Sequence, residues 1–143
     1  TRGGCAVVIA DGTANNSLAS IDSGKKCTWF LATANPTTAR KRWISGVLAP
    51  NGILTIDSGA ERALRGGKSL LPAGVNFVSG NFDRGDAVII ENTEKVRLGC
   101  GLIAYSSQDA KLIAGHNTRE IETLLGYRGR DEMIHRNDMV IDR

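Results

Sequence analysis

Residues 65–75 read Arg65-Gly66-Gly67-Lys68-Ser69-Leu70-Leu71-Pro72-Ala73-Gly74-Val75, and two incompatible folds can be drawn from them. Gly67-Lys68-Ser69 match the end of the phosphate loop G-x-x-x-x-G-K-[ST], whereas Leu70 to Val75 have the character of a loop on a small barrel. A phosphate loop follows a strand and opens a helix, so that the free N–H groups of the helix N-terminus face the anion. Here the position of its first glycine is taken by Arg62. The order of elements is also reversed, with a helix expected before the motif and Pro72-Ala73-Gly74 after it.

That helix rests on Ser58-Gly59-Ala60-Glu61, which has the Ser-x-x-Glu spacing of a capping box. Ala60, Ala63 and Leu64 then fall on one face, and Gly66-Gly67 supply the left-handed stop that ends many helices. Gly-Gly-Lys-Ser is therefore read as a helix terminus. Around it, Ile53-Leu54-Thr55-Ile56 alternates as a half-buried strand and residues 75–82 form another. Residues 83–86 make a turn, and 86–90 and 95–99 form a hairpin whose second strand continues through Leu102-Ile103-Ala104-Tyr105. Ser106-Ser107 cap a helix that stops at Gly115, Asn117-x-x-Glu120 starts a second that stops at Gly126, and apolar pieces in 132–141 finish the sheet.

The first third has a different character. Ala6-Val7-Val8-Ile9-Ala10 is a continuous apolar run of the kind found in strands covered on both faces. A short helix near residues 16–21 connects it to Cys27-Thr28-Trp29-Phe30-Leu31-Ala32, read as a parallel neighbour. Two such strands cannot cover themselves, so their neighbours are expected upstream of Thr1. Pro36 and Pro50 bracket the basic cluster Arg40-Lys41-Arg42 in what reads as a linker, with the boundary near residues 45–51.

With 143 residues, 41% apolar and 23% charged, the chain is of ordinary globular composition. No apolar run approaches the roughly 20 residues of a membrane span, and no signal peptide is evident, so a cytoplasmic location is expected. Cys5, Cys27 and Cys100 lie far apart with no C-x-x-C pair and are read as small buried thiols. The net charge of +3 is concentrated in residues 1–47, where six basic side chains face two acidic ones; residues 48–114 hold seven of each sign. Strong non-specific nucleic-acid binding needs clustered cations, which most of the chain lacks.

Two further motifs fail on context. Gly99-Cys100-Gly101-Leu102-Ile103-Ala104 fits the loose dinucleotide pattern, yet strand follows it where a helix is required, so its glycines are read as a bulge or a close backbone approach. His116 and His135 have no partner at ligand spacing. No catalytic, cofactor-binding or metal-binding residue is assigned.

The segments Ile56-Asp57-Ser58-Gly59-Ala60, residues 68–75 and Gly80 to Val88 resemble the PUA domain, a compact pseudo-barrel named for pseudouridine synthases and archaeosine transglycosylases. The ordered array Arg40 to Ile44, SLLPAGV, GNFDRGD, Ile113 to His116, Glu120-Ile121, Leu125 to Tyr127 and His135 to Met139 is similar to the C-terminal part of bacterial glutamate 5-kinases. The family resemblance implies a mostly β fold with short helices: a PUA-like pseudo-barrel over residues 51–143, a linker over 35–50, and in residues 1–34 a remnant of an α/β amino acid kinase sheet.

The resemblance also implies a parent that phosphorylates the glutamate side-chain carboxylate with ATP and magnesium in proline synthesis. Its catalytic residues would precede Thr1, leaving a regulatory or assembly piece that is inactive alone, works beside its own kinase domain and belongs to a homo-oligomer. One departure is Cys27-Thr28-Trp29-Phe30, where the family usually has Gly-Thr before a smaller apolar pair. RNA is the alternative partner. In RNA-binding PUA domains the turn after the first helix borders the nucleic-acid groove, which points to Arg62, Arg65, Lys68 and the backbone at Gly74.

Overall fold

The computed structural model describes residues 5–13, 15–32, 35–47 and 49–142, and the chain divides into two compact units, residues 1–40 and 41–143. In the first unit, β1 (Val7–Ala10) and β2 (Cys27–Phe30) pair antiparallel, Val7 opposite Phe30 and Ala10 opposite Cys27, around α1 (Ser17–Asp22). The parallel arrangement expected from the sequence is thus corrected. A parallel return needs a crossover as long as the strand. The six residues of α1 rise only about 9 Å, while the four of β1 span about 13 Å. Hydrogen bonds hold the connection at one strand end: Thr13 N–H and Oγ1 donate to Asp11 Oδ1, at 2.9 and 2.7 Å.

The segment read as a linker is helical over α2 (Pro36–Val47). Pro36 occupies the first helical position, where its missing N–H is harmless, and Asn35 Oδ1 accepts the Thr38 N–H at 2.8 Å as a cap. In the second unit Ile44 of this helix is buried, and its carbonyl accepts a long contact from the Cys100 thiol at 3.7 Å.

The second unit is built on a five-stranded sheet of β3 (Gly52–Ile56), β4 (Val75–Gly80), β5 (Ala87–Asn92), β6 (Arg97–Leu102) and β7 (Met139–Ile141), in the order β4-β3-β5-β6-β7. All neighbours are antiparallel except β3 and β5, which run parallel. α3 (Ser58–Arg65) lies between β3 and β4; α4 (Ser107–Ile113) and α5 (Ile121–Leu125) lie between β6 and β7. One core gathers Leu54, Ile56, Val88 and Ile90 from the sheet with Leu64, Ile113 and Ile121 from the helices. Burying such side chains contributes about 1.5–3 kcal/mol each before the entropy of ordering is set against it.

The local signals act through visible bonds. Ser106 caps α4 by accepting the Asp109 N–H at 3.2 Å, and Asn117 with Glu120 closes a complete capping box ahead of α5. The expected strand continuation through Tyr105 ends at Leu102; Ile103 and Ala104 instead donate to Asp86 and Met133 carbonyls at 3.0 and 2.9 Å. At Gly101 a Cβ would stand 2.8 Å from Ile134 Cγ2, so the glycine of the dinucleotide-like motif serves close packing. No helix among the described residues is long and apolar enough to cross a membrane.

Candidate functional site

The helix stop identified at Gly66-Gly67 leads into the strap that walls an apolar cleft. Gly67 has φ +77°, its N–H donates to Leu64 O at 2.9 Å, and the Lys68 N–H donates to Ala63 O at 3.0 Å. These are the two bonds of a Schellman motif, which closes orphan carbonyls and throws the chain off the helix axis. At the other end of α3 the cap is Asp57, not Ser58: its Oδ1 accepts the Ala60 N–H at 2.7 Å. Gly-Lys-Ser therefore stands at the C-terminal end of a helix, the wrong end for cradling a phosphate through free N–H groups.

After this stop, Leu70 pairs with Ile134 in an isolated antiparallel bridge, and Pro72–Gly74 form a single 3-10 turn into β4. Gly74 presses against α3, where a Cβ on it would stand 2.5 Å from Ala60 Cβ, and its carbonyl accepts the Asp57 N–H at 3.0 Å. The result is a cleft of about 610 Å³ between the α3 face bearing Ala60 and Ala63 and the strap 68–74, with Glu132 at its margin.

Of the residues singled out from the sequence, Lys68 and Gly74 line this cleft together. Arg62 and Arg65 lie on the same helix but do not line it, and Arg65 is engaged with Glu61 through Nε and Nη2 at 3.1 and 3.0 Å. Glu132 was missed by the sequence reading, because only the Leu70–Ile134 bridge brings residue 132 beside the strap. Among the described residues no group of three or more His, Cys, Asp and Glu could hold a metal ion. His116 Nδ1 sits 3.7 Å from Glu120 Oε2, and His135 Nδ1 accepts the Asn137 N–H at 3.2 Å.

Charge perturbation lies elsewhere on the sheet. Glu91, on β5, accepts from Lys95 Nζ and from Thr55 Oγ1, each at 2.9 Å. The Lys95 contact, acting against desolvation and aided by Thr55, holds its carboxyl below the ordinary carboxylate range.

A family model for the PUA domain matches residues 52–125, the stretch from β3 through α5. The chain belongs to the PUA domain family. Over 141 residues, the PUA region included, the chain is 54% identical to glutamate 5-kinase of Rhodopseudomonas palustris strain TIE-1, covering 99% of this chain and 38% of that protein. Glutamate 5-kinase of Bradyrhizobium sp. strain BTAi1 is likewise 54% identical over 99% of this chain and 37% of its own length. The chain thus spans less than two-fifths of these relatives, matching their C-terminal part. Among solved structures, a PUA domain from Aeropyrum pernix K1, crystallised as a tartrate complex, is similar at 27% identity and a TM-score of 0.44, over 61% of this chain and 44% of that one.

Proposed function

We propose that this chain is the C-terminal part of a glutamate 5-kinase, in which residues 51–143 form a PUA domain with a regulatory or assembly role. In this reading residues 1–34 are the end of the amino acid kinase domain, and 35–50 join the two. The observation that carries it is 54% identity sustained over 99% of the chain, well beyond the residues matched as PUA domain. The first unit supports it independently. Ile9, Leu18, Trp29 and Leu31 are 61, 79, 55 and 74% exposed, more apolar surface than a two-stranded sheet tolerates without neighbours.

The reaction would be ATP-dependent phosphorylation of the glutamate side-chain carboxylate, in the cytoplasm. Phosphoryl transfer works by positioning and by neutralising phosphate charge with magnesium, lysine and backbone N–H donors. In this reading that apparatus belongs to the part of the relatives that the chain does not match. The test compares the complete protein with a version ending at residue 50, measuring glutamate-dependent ADP formation, inhibition by proline and oligomeric state. The complete protein is expected to be active and the shortened one to differ in assembly or proline response. No glutamate-dependent turnover by the complete protein would remove the kinase reading, and identical behaviour of the two would remove the regulatory one.

The RNA alternative draws on one observation, that Lys68 and Gly74 share the apolar cleft. Local charge weighs against it, since Asp57 and Glu132 line the same cleft, no aromatic side chain offers a stacking surface, and Arg65 is paired with Glu61. Filter binding of structured RNA at low salt, with Arg65→Ala and Lys68→Ala, decides between them.

A further inference from the structure

Lys68 also lines a smaller cavity of about 280 Å³, formed by the end of α3, residues 136–137 and β7. Lys41, Lys68 and Arg136 all line it, over a floor that includes Leu64 and Met139, and no carboxylate lines it. The other cations of this unit that have ion pairs find them elsewhere: Arg65 with Glu61, Lys95 with Glu91 and Arg97 with Asp142. Lys41, Lys68 and Arg136 have none among the described residues.

The backbone forces two of these charges together. Leu70 and Ile134 form an antiparallel bridge, with the Leu70 N–H donating to Ile134 O at 2.9 Å. The bridge is isolated and Arg136 already opens the 3-10 turn Arg136–Asp138, but its N–H donates to Ser69 Oγ at 3.0 Å, which ties residue 136 to the strap beside Lys68. Like charges gathered around one recess repel each other when no counter-ion lies between them. Lys41 approaches the same cavity from α2, adding a third positive charge. An arrangement that concentrates positive potential in a concave, partly apolar recess favours an anion, and a guanidinium beside two ammonium groups suits phosphate oxygens in particular.

We propose that the Lys41–Lys68–Arg136 cavity is a binding site for a small phosphate-class anion, a free polyphosphate or phosphate ester. Its volume is at the lower limit of ligand pockets, about 300 Å³, which fits a phosphoryl group or two better than a folded polymer. No aromatic side chain lines it, so a nucleic-acid strand would find charge but no surface for base stacking. The proposal stands apart from the kinase reading, since it rests only on residues of the second unit.

The test is calorimetric titration of the 143-residue chain at low ionic strength with sodium tripolyphosphate, and in separate arms with inorganic phosphate, metal-free ATP and a single-stranded RNA oligomer. Saturable one-to-one binding of tripolyphosphate or ATP is expected. Lys68→Gln and Arg136→Gln should each weaken it by about tenfold, the loss of one hydrogen bond to a charged group. Arg62→Gln, a cation outside the cavity, should leave affinity unchanged. Circular dichroism and thermal melting of each variant establish that it is folded, and backbone amide shifts at Gly67 and Asn137 locate the ligand. Absence of saturable binding by every small phosphate, or an equal loss in Arg62→Gln, would overturn the site. Tight RNA binding without tripolyphosphate or ATP binding would overturn the assignment to a small anion.

Discussion

The Asp57 carboxylate accepts the Ala60 N–H at 2.7 Å, so the helix that walls the apolar cleft is capped from the residue before Ser58. Asp57→Ala should therefore cost about 1 kcal/mol, whereas Ser58→Ala should change stability far less. Urea denaturation of the two variants, compared by midpoint at constant slope, checks the order.

Gly74 tests the close approach of strap and helix. A methyl group there meets Ala60 Cβ at 2.5 Å and Ala60 Cα at 3.6 Å, so strap and helix would have to move apart. Gly74→Ala is expected to destabilise by about 1–3 kcal/mol, the usual penalty of overpacking. Ala60→Gly in the same chain should recover part of that loss, an outcome that a purely conformational effect at Gly74 would not produce.

Glu91 predicts an acid-sensitive sheet. Its ordinary value is 4.5, and the folded environment lowers it, chiefly through Lys95. A depressed carboxylate contributes stability that is present above the unfolded value and lost as pH falls through the folded one. The fall in stability between about pH 5 and pH 3 should be shallower in Glu91→Gln than in the parent, as read by urea denaturation across that range.

Tyr127 should resist ionisation. Desolvation, the hydrogen bond it donates to Asp109 Oδ2 at 2.8 Å and the charge of that carboxylate push it up to about 12. Because 47% of the residue is exposed, the Asp109 bond is the contribution most open to manipulation. Ultraviolet titration of the Tyr105→Phe chain should show little phenolate at pH 10, and adding Asp109→Asn should move the transition downward.

Local chemistry was legible in the sequence wherever one short segment closes on itself. Gly67 after Leu64, Ser106 before Asp109 and Asn117 before Glu120 each satisfy backbone groups within a single turn, so spacing alone reveals them. Pro36 misled because proline is disruptive inside a helix yet welcome at its first position, and only the Asn35 cap tells the two apart. The direction of β2 was not legible, because an apolar run such as Ala6 to Ala10 reports burial and carries no sign of orientation. Glu132 and the Lys68–Arg136 juxtaposition depend on a bridge between residues 70 and 134, a pairing that no local pattern encodes.

The placement of β3 has a consequence for engineering and for synthesis on the ribosome. It is the first strand of the second unit, yet it is zipped on both sides, to β4 and to β5, and Asn51 just ahead of it donates to Ala87 O at 2.8 Å. It acts as a keystone laid before the arch. A nascent chain can zip this segment to β4 first but must leave its other side unpaired until β5 has emerged, and trimming past Asn51 would leave two edges with nothing between them.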